Sequence, residues 1–160
     1  MALASIAFPV VIFPLHGLGE LRLLDLHFSY TADQAYIHLA ELGAQGRSEY
    51  IGMALTSDLA FPVVYATTLS FALMLPLRRL TPAEHPLRRI CLLPFLIIVI
   101  DWCENMSLAY ITHAYPERHD HIAHYASLLT SSKWFLTASI LIFLISLSGY
   151  CLISRNTRRT

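Results

Sequence analysis

Charge is scarce in this chain. Only 14% of its 160 residues are Asp, Glu, Lys or Arg, and the formal net charge at neutral pH is zero. Without an excess of positive charge there is no electrostatic footprint for DNA or RNA, so nucleic acid is not an expected partner. Cysteine pairing is missing as well. Cys91, Cys103 and Cys151 lie in apolar runs, form no CxxC pair and, being odd in number, cannot all bridge within the chain. They read as buried thiols. The chain has no GxSxG elbow, HExxH helix, P-loop or GxGxxG fingerprint, and no internal repeat of the transporter kind. No motif names a cofactor. What is abundant is apolar: 56% of residues are hydrophobic and the mean hydropathy is +0.54. That is too apolar for an ordinary soluble domain and points to one membrane domain over residues 1–160.

A helix needs roughly 20 mainly apolar residues to cross a bilayer, and four segments approach this, at about residues 2–18, 59–77, 87–111 and 134–153. The first is short and contains Pro9 and Pro14, but it has no basic n-region, so it reads as a kinked or tilted span rather than a cleaved signal. Between the first two spans, Thr31 and Asp33 offer N-caps to an amphipathic stretch through Tyr36, Ile37, Leu39, Ala40 and Leu42, closed by Gly43. After a Gly43 to Gly46 turn, residues 47–56 resume a helical pattern and run into the second span. Residues 112–133 read as a second external connection. The expected fold is all-α: an integral membrane four-helix bundle with a short external amphipathic helix between the first and second spans.

Loop charge sets the orientation, because Lys and Arg in short loops stay on the cytoplasmic side. Arg78, Arg79, Arg88 and Arg89 fill one connection, and Arg155, Arg158 and Arg159 fill the tail. Both belong inside. The first connection carries Glu20, Asp25, Asp33, Glu41, Glu49 and Asp58 against Arg22 and Arg47, which suits the opposite side. Both termini are therefore expected on the cytoplasmic or equivalent side of a multi-pass protein.

The chemistry-bearing residues sit in the third span. Asp101, Glu104 and Asn105 interrupt its apolar run, and spacings of three and four put them on one helical face. Ionisable groups inside a span usually face a bundle interior, a cavity or a partner. A rise of 1.5 Å per residue sets Asp101 about 15–20 Å above the inner end of the span, near or just beyond the midplane. Two neighbouring carboxylates in low dielectric need a shared proton, a cation or a metal. Asp58, at the outer end of the second span, is a third acid in reach, and Arg47 is the expected guanidinium clamp. A catalytic reading would use Asp101 and Glu104 as proton donor and acceptor. A structural reading makes Arg47, Asp58, Asp101, Glu104 and Asn105 a buried network that sets how the spans pack. His119, His121 and His124 are weak metal candidates, since HxHxxH lacks the second ligand pair of a closed zinc site, and no metal is expected. In the last span Ser132, Ser139 and Ser146 recur every seven residues, with Gly149 continuing a small-residue packing edge. Trp102 stands beside the acids.

Several spaced motifs resemble a widespread, uncharacterised family of small four-span membrane proteins. They are Tyr30, Leu42-Gly43-Ala44-Gln45-Gly46-Arg47 followed by Tyr50, Asp58 with Phe61-Pro62 and Tyr65, Asp101-Trp102-Cys103-Glu104-Asn105, Tyr115-Pro116 and Ser132-Lys133-Trp134. The likeness runs from about Leu24 to Ser148. It implies four spans and draws Arg47, Tyr50, Asp58, Asp101, Glu104 and Asn105 together as the binding or buried polar set, but it assigns no reaction.

The first functional expectation is a non-enzymatic accessory or assembly subunit of a larger membrane complex, with membrane lipids and other membrane subunits as partners. The alternative is a stand-alone lipid-active enzyme, or a lipid- or small-molecule-binding protein, using an acidic pocket in the outer half of the bundle.

Overall fold

The computed structural model describes Leu24 and residues 27–157, with side chains through Ser154. The first expected span, 2–18, lies outside the described residues, as do Arg158 and Arg159. Among the described residues the chain is helical and contains no strand.

Helix α1, Ala32–Glu41, starts at a capping box: the Gln34 amide donates to Thr31 Oγ1 at 3.2 Å, and the Thr31 amide donates to Gln34 Oε1 at 2.8 Å. It buries Ala35, Tyr36, His38 and Leu39, spaced for one helical face. Gly43, at a φ of +64°, ends it in the left-handed conformation that glycine adopts at no steric cost. That single residue makes the turn, so α2 spans Gly43–Ala54 and begins before the expected Arg47. A Cβ on Gly46 would meet the Leu42 Cβ at 3.2 Å, so the new helix starts close against the old one.

The backbone breaks at Thr56 and resumes as α3, Ser57–Leu80, with Pro62 and Pro76 inside it. A 3-10 helix follows, Pro86–Leu92, and then α4, Pro94–Ala114. The third expected span is thus two pieces. Proline has no N–H for an earlier carbonyl and its ring clashes with the preceding turn, so the start of a new α-helix, where Pro94 stands, is the position that accommodates it at least cost. A short connection with a cis Tyr115–Pro116 bond leads to α5, Asp120–Thr157. Most of the expected loop 112–133 is therefore helix. Ala123, Ala126, Thr130 and Lys133 are buried at helical spacing, a period hidden among polar His and Ser residues.

Three stretches, 43–80, 86–114 and 120–154, are long and apolar enough to cross a membrane. Helices α3 and α5 descend and α4 ascends, so the 3-10 connection marks the lower end and residues 115–119 the upper. Two apolar cores stack along this axis. The upper one joins Tyr30, Tyr36, Leu39, Tyr50, Leu108, Ile111, Ala123 and Ala126. The lower one joins Leu73, Leu77, Cys91, Ile97 and Ile140.

Candidate functional site

Between these cores lies a layer of buried polar side chains. On α4, Ile97 belongs to the lower core and Ile111 to the upper, and Glu104 stands about 10 Å from each by helical rise. On α5, Ala126 and Ile140 bracket Lys133 in the same way. The layer is built where the two helices face each other.

Lys133 is its centre. Nζ lies 2.8 Å from Asp101 Oδ1 and 2.6 Å from Glu104 Oε2. The second oxygen of Glu104 accepts from Thr130 Oγ1 at 2.5 Å, and the second oxygen of Asp101 accepts from Asn105 Nδ2 at 3.2 Å. Glu104 and Thr130 are fully buried, and Asp101, Asn105 and Lys133 nearly so. Each carboxylate therefore has one charged donor and one neutral donor. Taking these charges out of water is costly, and geometry of this kind is what offsets the cost.

Asn105 also reaches α3. Pro62 has no N–H for the carbonyl four residues before it, which is that of Asp58. Asn105 Nδ2 donates to that oxygen at 3.1 Å, so a side chain of α4 supplies the donor that proline removed. The next carbonyl along, Leu59, accepts from Trp102 Nε1 at 2.9 Å. Trp102 is thus tied to the acids' own helix face by its bond to α3, with much of its ring exposed.

The remaining expected site residues are placed differently. Arg47 does not clamp the acids: Nη1 donates to Leu39 O at 2.9 Å, and its guanidinium lies over the Tyr115 ring at 4.2 Å. It joins α1, α2 and the upper connection. Tyr50 packs in the upper core with its ring edge toward His38. Asp58 contributes its backbone carbonyl to Asn105, and its carboxylate accepts from Ser57 Oγ at 3.2 Å. His121 and His124 are exposed on the first turns of α5, and the His119 ring pairs with Tyr110. Among the described residues no three His, Cys, Asp or Glu side chains gather to hold a metal ion.

Lys133 was the residue that sequence reasoning missed. It is the single lysine among the chain's eleven basic residues and stands at the head of an apolar run. Its charge there should have been weighed against the acids of the neighbouring span.

The upper end is held by exposed polar links. Arg118 bonds Asp33 at 2.6 Å and Asp120 at 3.0 Å and covers the Tyr36 ring. Hydrogen bonds to these two acids raise its pKa further. The Tyr36 hydroxyl accepts from the His119 amide at 2.5 Å. Burial pushes the His38 imidazole below its usual range, with Glu41 opposing and His27 adding to the shift.

The arrangement closes an ion cluster over itself. The ammonium engages one oxygen of each acid, and apolar cores lie above and below the layer. No protein-family model, no curated protein and no solved structure matches this chain.

Proposed function

We propose that this chain is a four-span integral membrane protein without a reaction of its own, an accessory or assembly subunit of a larger membrane complex. Its acidic centre acts as a lock between helices. The observation that carries this reading is Lys133, whose ammonium engages both candidate catalytic carboxylates at once. A general acid or base must meet its substrate's proton, and Asp101 and Glu104 are spent on each other's counter-ion.

The lock also suggests where the membrane lies. From Asp58 to Leu77 on α3, and from Lys133 to Ile153 on α5, helical rise gives about 28–30 Å, the thickness of a bilayer's hydrocarbon core. On this reading the polar layer sits at the outer boundary of the hydrocarbon rather than near its midplane, and the upper core with α1 forms a cap outside it. The arginine-rich lower end faces the cytoplasm or its equivalent. Asp101, Glu104, Asn105 and Lys133, which carry part of the family resemblance, build the layer together with Thr130, which supports reading those two motifs as a packing signature.

A partner surface is offered by α5. Among the described residues its apolar stretch is hardly buried, and Ser132, Ser139 and Ser146 stand exposed along it. Each donates to the carbonyl one turn back, at 2.8–2.9 Å, so their hydroxyls need nothing from a neighbour and leave a smooth edge for close helix approach. Native mass spectrometry of the protein extracted from its own membrane in mild detergent tests the proposal. A stoichiometric assembly with other subunits is expected. A lone protomer or homodimer retaining one lipid, small molecule or metal would overturn it in favour of the pocket reading.

A further inference from the structure

The lower end of the bundle gathers four guanidiniums. Arg78 and Arg79 occupy the last turn of α3, and Arg88 and Arg89 the 3-10 helix packed against it. The bonds of Arg88 to Thr81, which follows directly on the last turn of α3, hold the two basic elements side by side. Arg88 belongs to the fold itself: Nη2 donates to Thr81 O at 2.6 Å and Nε to Thr81 Oγ1 at 3.3 Å. Arg78, Arg79 and Arg89 are exposed, and among the described residues no carboxylate lies within ion-pair distance of them. Glu84 is the one acid of this connection. The His85 ring caps the 3-10 helix, its Nδ1 accepting from the Leu87 amide at 3.2 Å. A marked positive excess is left free at the surface.

An apolar column leads to that charge. Phe71 and Leu75 are among the most exposed large side chains of α3, and Leu92 is exposed on the 3-10 helix. Phe71, Leu75, Arg78 and Arg79 follow one another at steps of three and four, so they share one helix face. Greasy surface ending in paired guanidiniums matches a molecule with acyl chains and a phosphate. Helix α5 brings its own C-terminal end, with Arg155 in sequence, to the same side.

We propose that this end binds the phosphate headgroup of an anionic phospholipid through Arg78, Arg79 and Arg89, with the acyl chains lying along Phe71 and Leu75. A guanidinium presents two parallel donors that fit phosphate oxygens. The proposal rests on the membrane reading above and adds the class of lipid. Each basic residue near an anionic surface strengthens attraction roughly fivefold.

The test reconstitutes the full chain in nanodiscs of phosphatidylcholine, with or without phosphatidylglycerol, and weighs the retained lipid by native mass spectrometry after transfer to mild detergent. Wild-type protein is expected to keep phosphatidylglycerol over phosphatidylcholine by about tenfold or more. The R78Q/R79Q/R89Q variant should lose that excess, and added inorganic phosphate should not displace the lipid. An absence of preference in the wild type overturns the inference whatever the variant does. Equal retention by wild type and variant, or displacement by free phosphate, overturns it as well. Wild-type protein that inserts into neither nanodisc would bring down the membrane reading itself, a failure distinct from insertion without selectivity.

Discussion

Replacing the single lysine separates two accounts of the buried acids. In Lys133→Met the carboxylates of Asp101 and Glu104 lose their shared cation while remaining enclosed, and breaking a buried pair from one side costs about 3–5 kcal/mol. Neutralising the whole set, with Asp101→Asn and Glu104→Gln added to Lys133→Met, removes the stranded charges and should recover most of that loss. Thermal unfolding in one detergent reads both variants. If the single variant is as stable as the triple one, the ammonium is not what balances the acids. At this scale the sequence was legible in part. Asp101, Glu104 and Asn105 stood out because an apolar run makes any charge conspicuous, and their spacing put them on one face. Lys133 was hidden by the serines and threonines before it, which read as loop. Arg47 looked better placed because it shares a side with the acids, but its guanidinium is taken up by Leu39 O and Tyr115 in the upper end.

The contact of α3 with α4 turns on one missing N–H. Asn105 donates to the Asp58 carbonyl that Pro62 leaves without an intrahelical partner. In the wild-type background Asn105→Leu strips that carbonyl of its donor. In a Pro62→Ala background the restored amide bonds it within α3, and the cost of Asn105→Leu should fall by about 1 kcal/mol. A double-mutant cycle on unfolding free energy measures this, and strictly additive effects would show that proline and asparagine act independently. The sequence held both residues in view, Pro62 within one motif and Asn105 within another, without revealing that they meet, because pairing across helices has no period along the chain. Local signals fared better. Thr31 and Gly43 bound α1 as expected, since capping depends only on neighbours, while the second N-cap candidate, Asp33, lies inside the first turn and Gln34 completes the box instead. Element ends depending on hydropathy moved: α5 begins at Asp120 rather than Trp134, because hydropathy records preference for lipid or water while Ala123, Ala126 and Thr130 carry the helical period.

Among the described residues the molecule is a stack with arginines at its lower end and a mixed, more acidic cap above, a polarity from which the proposed orientation across a membrane is argued. Helices α3, α4 and α5 alternate in direction, so the connection holding Glu84 and the start of α5 holding His121 lie at opposite ends. Both residues are exposed. A cysteine at either position, in a background where Cys91, Cys103 and Cys151 are replaced by alanine, therefore reports which side of an intact membrane it faces. The arginine excess at the lower end argues that Glu84→Cys labels with an impermeant maleimide only from the cytoplasmic or equivalent side, and His121→Cys only from the other. Labelling of both from one side would mean that α4 does not carry the chain across. Exclusive labelling in the reverse sense would keep the crossing by α4 but invert the orientation. The outcome also bears on the ion layer. With His121 outside and Glu84 inside, the proposed placement of the hydrocarbon along the apolar stretches below Lys133 and Asp58 would keep its orientation, with the acids that first marked this chain at the foot of the cap.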